Sequence, residues 1–67
     1  MNADEEERFR HHILEILEEG PQDVEYLMQM LDPSDKEEFI ALVRQMVDAQ
    51  EIRYQDNWKL VPMNYAG

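Results

Sequence analysis

The chain has 67 residues, of which 16 are acidic and 6 are basic, and its net charge at pH 7 is −10. This length allows one small domain, and the absence of cysteine excludes disulfides and thiolate metal sites. A hydrophobic content of 43%, with one tryptophan at Trp58, argues against a disordered acidic chain.

The N-terminal segment and the lengths of the apolar runs predict the cellular compartment. The N-terminal segment is acidic and has no apolar stretch, so we expect no signal peptide. No apolar run approaches the roughly 20 residues that span a bilayer. We therefore expect a cytoplasmic protein without a membrane partner.

The first predicted helix covers residues 4–19. Its apolar side chains recur at i, i+4, i+7 and i+8, which places them on one face. They are Phe9, Ile13, Ile16 and Leu17. The carboxylates of residues 4–7 lie in the first turn, where they favour the positive end of the helix dipole. We prefer this capping role for the cluster over an acidic docking surface.

The second predicted helix covers residues 21–31. Its apolar side chains recur at i, i+3, i+4 and i+7. They are Val24, Leu27, Met28 and Leu31. The segment from Ser34 to Glu37 then has the form of a capping box, which predicts Ser34 as the N-cap of a third helix. So short a connection forces the two helices to cross, as in a helix-turn-helix.

The third predicted helix covers residues 35–50. Six apolar side chains span about 160° of its circumference, which is wider than one buried face requires. They are Phe39, Ile40, Leu42, Val43, Met46 and Val47. We expect this helix to be covered on two sides, by the other helices and by the segment that follows.

Residues 51–62 are predicted to form a β-hairpin. With a three-residue loop at residues 55–57, Tyr54 faces Trp58 and one face of the hairpin is apolar. Asn57 is the expected left-handed position of that loop, because Asn tolerates positive φ. We also expect a short tail at residues 63–67 and a short additional strand near residues 21–23.

Two segments of the chain resemble the winged helix-turn-helix superfamily. Residues 20–27 look like the junction between the first two helices of such proteins. Residues 42–54, followed by residues 58–60, are similar to the end of the recognition helix and the wing. The resemblance covers about residues 9–61. It implies an α+β fold in which one domain, residues 1–67, has a three-helix core followed by a C-terminal two-stranded hairpin wing.

The same resemblance implies DNA binding, with the third helix in the major groove and the wing on the backbone. The side chains that would make these contacts are Lys36, Arg44, Gln45, Arg53 and Lys59. Affinity for DNA depends on neutralising phosphates, whereas the first predicted helix has seven acidic and two basic residues. The charge therefore disfavours DNA, and DNA-binding transcriptional regulation is the alternative function.

The leading prediction is a noncatalytic module for protein–protein recognition with a regulatory role. It is favoured by apolar and adaptable side chains at the edges of the packed faces. They are Tyr26, Met30, Ile40, Val47, Met63 and Tyr65. Taken singly, each of them is equally consistent with a satellite of the core. The expected partner is a basic protein or a second copy of the chain.

Nothing in the sequence is typical of an active site. His11 and His12 are adjacent on a helix and point about 100° apart, so they cannot bind one metal together. The spacing of His11 and Glu15 favours an exposed ion pair over a metal site. A ligand pocket of about 300 Å3 would consume the core of so small a domain. We expect no enzyme activity, metal, cofactor or small-molecule substrate.

Overall fold

The computed structural model describes residues 2–66, and within them three helices are followed by a two-stranded antiparallel sheet. The elements are α1 (Ala3–Glu19), α2 (Val24–Leu31), α3 (Lys36–Asp48), β1 (Ile52–Tyr54) and β2 (Leu60–Pro62). This confirms the predicted α+β fold with winged-helix topology. Met1 and Gly67, the first residue of the predicted domain and the last of its tail, lie outside the described residues.

The first helix, α1, is capped by Asn2, whose side chain accepts a hydrogen bond of 2.8 Å from the backbone N–H of Glu5. Acidic side chains follow in the first turn, at the positive end of the helix dipole. Ile13 and Leu17 are fully buried. The ring of Phe9 meets the ring of Phe39 edge-on, with 5.9 Å between centroids, so the apolar face of α1 packs against α3.

The second helix, α2, begins at Val24, three residues later than predicted, because the residues before it pair with the hairpin. The backbone N–H of Gln22 donates to the carbonyl of Leu60 at 3.2 Å, and the N–H of Leu60 donates to the carbonyl of Gln22 at 2.7 Å. This single antiparallel bridge lies where an additional strand was expected near residues 21–23. Asp23 then caps the helix.

The predicted capping box at the start of α3 is wrong. The N-cap is Asp35, and its Oδ1 accepts hydrogen bonds from the backbone N–H groups of Glu37 at 3.0 Å and Glu38 at 3.2 Å. The negative charge of Asp35 also suits the helix N-terminus better than the neutral hydroxyl of Ser34. The helix therefore starts at Lys36, one residue after the predicted position.

Helix α3 crosses the centre of the core. Four of its six predicted apolar positions are buried, Val47 is half-buried and Ile40 is exposed. The helix ends two residues earlier than predicted, and the chain then reverses through Gln50 at a φ of 61°. The core of the described chain is formed by Ile13, Leu17, Leu27, Phe39, Leu42, Val43, Met46, Ile52 and Leu60.

The predicted register of the hairpin is wrong by two residues. Tyr54 pairs with Leu60 and Ile52 pairs with Pro62, so the loop contains residues 55–59 and not 55–57. Side chains of a strand alternate with a period of two, so a shift of two residues keeps each side chain on its face. The apolar pattern therefore fits both registers equally well.

The left-handed residue of the loop is Trp58, with a φ of 64°, and not Asn57. The side chain of Asn57 instead accepts a hydrogen bond of 3.1 Å from the backbone N–H of Lys59. A side-chain bond of this kind turns the chain locally. Trp58 consequently leaves the sheet, and 74% of its surface is exposed.

Arg10 connects α1 to the start of the hairpin. Its guanidinium donates to Glu7 at 3.0 Å and to Glu6 at 3.4 Å on its own helix. Its Nε lies 3.4 Å from Oε2 of Glu51, which is an ion-pair distance without hydrogen-bond geometry. Because Arg10 and Glu51 are half-buried, this attraction is less screened than a surface ion pair. It orients the hairpin relative to α1.

The cap of α3 predicts different effects for two neighbouring substitutions. We expect Asp35→Ala to lower the free energy of unfolding by about 1 kcal/mol, because two amides lose their acceptor. In a domain of this size that is a decrease in Tm of roughly 4–8 °C. Ser34→Ala is the matched control and should change Tm little. Thermal unfolding followed by circular dichroism measures both, and a larger effect of Ser34→Ala would contradict the assignment.

Candidate recognition surface

The C-terminal half of α3 and the hairpin loop together form a groove with a volume of about 530 Å3. We call it the wing groove. It is lined by Arg44, Val47, Asp48, Tyr54 and Trp58. The helix places the first three of these because residues four apart lie on the same face of a helix, one turn above the other. The hairpin places the two aromatic residues, because the loop turns Trp58 back towards Tyr54.

The two aromatic rings of the wing groove form a corner. The ring centroids of Tyr54 and Trp58 are 5.7 Å apart and the ring planes are inclined by 68°. This is the edge-to-face arrangement that aromatic quadrupoles favour. Both side chains are exposed, with 39% of the surface of Tyr54 and 74% of the surface of Trp58 open to solvent. Two aromatic surfaces thus stand at an angle to each other, and both are partly open to solvent.

The wing groove contains one charge of each sign. Arg44 and Asp48 both line it and both are exposed. Within residues 2–66 no ion pair joins them. The two charges are therefore available to a ligand, and their signs oppose each other.

The protein-interaction candidates predicted from the sequence lie in three places. Ile40 and Val47 are on α3. Val47 lines the wing groove, and Ile40 lies one helical turn before Arg44 and two turns before Val47 on the same face. Tyr26 and Met30 are on α2, and both are exposed. The structure does not bring the six candidates together into one patch.

One of the α2 candidates, Met30, borders a separate depression between α1 and α2. It has a volume of about 350 Å3, and Met30 lines it with Phe9, Arg8 and His12. Met30 is 58% exposed. This depression shares no lining residue with the wing groove.

The tail candidates are held by Arg53. Its Nη2 donates a hydrogen bond of 2.7 Å to the carbonyl of Tyr65, and its Nε lies 3.4 Å from the carbonyl of Met63. The N–H of Tyr65 also donates to the carbonyl of Pro62 at 3.0 Å. Met63 is exposed and Tyr65 is half-buried. The tail is thus folded back beside the hairpin.

The predicted DNA-contact residues are dispersed. Arg44 lines the wing groove, whereas Gln45 lines a different depression beside Glu6. Lys36 is exposed at the opposite end of α3. Arg53 uses its guanidinium to hold the tail. Lys59 is exposed in the hairpin loop.

Three residues of the wing groove were not predicted from the sequence, namely Asp48, Tyr54 and Trp58. The sequence pattern predicted both aromatic residues on the packed face of the hairpin. Asp56 and Asn57 are typical turn residues, which agrees with a longer loop. The alternation from Trp58 to Leu60 is equally consistent with a strand, so the apolar pattern contains no signal for the exposure of the ring.

Residues 2–66 can be compared with the requirements of a metal site and of a membrane-crossing helix. No group of three or more His, Cys, Asp or Glu side chains in residues 2–66 is placed to hold a metal ion. Nε2 of His11 lies 2.9 Å from Oε1 of Glu15 in an exposed pair. Over the same residues, no helix combines the length and the apolar composition that a membrane crossing requires.

Comparisons with models of protein families, with curated proteins and with solved structures found no match. The assignment of a function therefore depends on the geometry and chemistry of the surface.

The contacts of Arg53 predict a local effect on the tail. Arg53→Ala removes the donors to Met63 and Tyr65, so amide hydrogen exchange in residues 63–66 should accelerate. The loss of such hydrogen bonds should lower the free energy of unfolding by about 1 kcal/mol. Lys59→Ala, which removes another hairpin cation, is the control and should leave exchange in the tail unchanged. Equal protection of the tail in both variants would show that Arg53 does not hold it.

Proposed function

We propose that this protein is a noncatalytic recognition module with a regulatory role, which binds a protein partner through the wing groove. The observation that supports this most is Trp58, because among the described residues no other large apolar side chain is as exposed. Binding hot spots in protein interfaces are enriched in Trp, Tyr and Arg. The wing groove presents one of each, in Trp58, Tyr54 and Arg44.

The backbone at Trp58 supports the same proposal. A bulky residue in the left-handed region costs about 1–2 kcal/mol relative to ordinary backbone. The ring recovers part of this through its contact with Tyr54, which is typically worth about 0.5–1.5 kcal/mol. Strained residues concentrate at binding sites, where the strain keeps a side chain in place for its ligand. A tryptophan that is strained and exposed is better explained by binding than by folding.

A protein partner is favoured over DNA by the distribution of charge. The resemblance to winged helices makes DNA the competing ligand, and the exposure of Lys36, Arg44 and Gln45 on α3 is the observation in its favour. However, Arg44 and Gln45 line different depressions, and Arg53 is engaged with the tail. With a net charge of −10, few cations remain to neutralise phosphates.

We further infer membership of the winged helix-turn-helix superfamily. The order of three helices and a hairpin supports it, as does the bridge between Gln22 and Leu60, which lies where winged helices have a third strand. A fold of this kind does not determine its ligand. The proposed function therefore depends on the wing groove and not on the superfamily.

Replacement of Trp58 tests the proposal. Trp58→Asn removes the ring, while Asn tolerates the left-handed backbone, so the free energy of unfolding should change by less than about 1 kcal/mol. Binding to a partner captured from extracts of the source cells should weaken by about 30-fold, the effect of losing a hot spot. Surface plasmon resonance with the identified partner measures this.

Met30→Ala is the matched control for that experiment. Met30 is also an exposed apolar residue, but it lies in the depression between α1 and α2. We expect its affinity for the partner to remain within a factor of two of the unmodified protein, as is usual outside a hot spot. Equal losses of affinity in Trp58→Asn and Met30→Ala would contradict binding through the wing groove. Light scattering shows whether the captured partner is a second copy of the chain.

The competing function has its own test. We expect no retention of the protein on random duplex DNA at about 50 mM salt, where phosphate contacts are strongest. Retention that decreases with salt and is abolished by Arg44→Ala together with Lys36→Ala would contradict the proposed function. Lys59→Ala separates a contact of the loop from a contact of α3.

A further inference from the structure

The wing groove combines features that suit a positive ligand. The faces of aromatic rings are electronegative, and Trp is the best of them for a cation, followed by Tyr. In the wing groove these two rings stand at 68° to each other, with 5.7 Å between centroids. They form two walls of a corner that a single cationic group can enter. Asp48 lines the same groove and supplies a negative charge.

The charge of the whole chain acts in the same direction. A net charge of −10 attracts positive ligands over distances longer than the groove itself. This charge lies on the helices and not on the hairpin, where Glu51 and Asp56 are balanced by Arg53 and Lys59. This field repels phosphate and carboxylate groups. A basic segment of a protein is therefore favoured over a nucleic acid or an acidic segment.

Arg44 is the feature of the groove that opposes a cation. It lines the groove one helical turn before Asp48. A lysine or arginine that enters the groove gains the attraction of Asp48 and the rings, and it meets repulsion from Arg44. This opposition gives Arg44 and Asp48 effects of opposite sign on binding. It also allows the ligand charge to be determined by mutation.

We propose that the wing groove binds a lysine or arginine side chain from a basic segment of a partner protein, held between Tyr54, Trp58 and Asp48. This inference rests on the proposed function, since it names the chemistry of the partner at that surface. The cationic end of such a side chain lies against the faces of the two rings, within the groove that Asp48 also lines. Val47 forms the apolar floor of the groove.

Three peptides of equal length test the inference. They share one apolar framework and carry Lys, Gln or Glu at the same positions. Trp58 is the only tryptophan of the chain, so its fluorescence reports directly on the groove. We expect the Lys peptide to shift the emission of Trp58 and to bind about two- to fivefold more tightly than the Gln peptide, the fold-change that corresponds to an exposed cation–π contact. The Glu peptide should bind most weakly.

Single substitutions in the full-length chain then show how each charged residue of the groove affects binding. Asp48→Asn should weaken binding of the Lys peptide about threefold, and Arg44→Gln should strengthen it by a similar factor, since each change alters one exposed charge near the ligand. Trp58→Asn, followed by amide chemical shifts because its fluorescence is lost, should abolish the preference for Lys over Gln. All three substitutions are of exposed residues, and far-ultraviolet circular dichroism checks that the fold is kept.

Other outcomes overturn the inference in distinguishable ways. Tighter binding of the Glu peptide, weakened by Arg44→Gln, would show an anion site and leave a protein-binding function in place. Equal binding of all three peptides, lost in Trp58→Asn, would show an apolar groove without a preference for cations. A 12-base-pair duplex that binds and is released by Arg44→Gln would overturn this inference and the proposed function together. If no peptide binds although Trp58→Asn loses the captured partner, only the cation site is wrong.

Discussion

Leu60 attaches the hairpin to the helices through both its side chain and its backbone. Its side chain is fully buried in the core, and its N–H and C=O groups both bond to Gln22 in the segment before α2. Leu60 also pairs with Tyr54, so β1 is positioned through the same residue. An isolated two-stranded sheet is marginal in water. The wing groove depends on this attachment, because Trp58 lies two residues before Leu60 and Tyr54 lies opposite it.

Local pattern was sufficient for the number of helices and for their apolar faces, and insufficient for several helix ends and for the hairpin register. The apolar period of α1 predicted its start within one residue and its end at Glu19, because its caps are local. The start of α2 was predicted too early, since residues 21–23 are extended by a bridge to a strand almost forty residues later in the chain. The N-cap of α3 was missed because Ser34 and Asp35 are adjacent and both residue types cap helices. The backbone conformation decides which of the two side chains reaches the free N–H groups. The hairpin register was missed because a pattern of period two fits any shift of two residues.

The candidate site was also predictable only in part. Helical periodicity placed Ile40 and Val47 at the edge of the packed face, and the structure agrees. The aromatic half of the groove was not predictable, because the exposure of Trp58 follows from a five-residue loop and a side-chain bond of Asn57. The net charge can be read from the sequence, but which cations are engaged in contacts cannot. Arg44 and Gln45 point about 100° apart on any helix, whereas only the structure shows that Arg53 is engaged with the tail.

The two attractions assigned to the surface act over different ranges, and this decides what each can contribute. Charges that are separated by more than a Debye length, about 8 Å at physiological salt, are largely screened. In the proposed complex, the acidic residues of α1 would therefore affect the rate at which a basic partner approaches, and they would add little once it is bound. The rings of Tyr54 and Trp58 would act only at contact, where they would exclude water and determine the lifetime of the proposed complex. Under this proposal, salt should change the association rate more than the dissociation rate, and a groove whose two local charges nearly cancel would still favour basic partners.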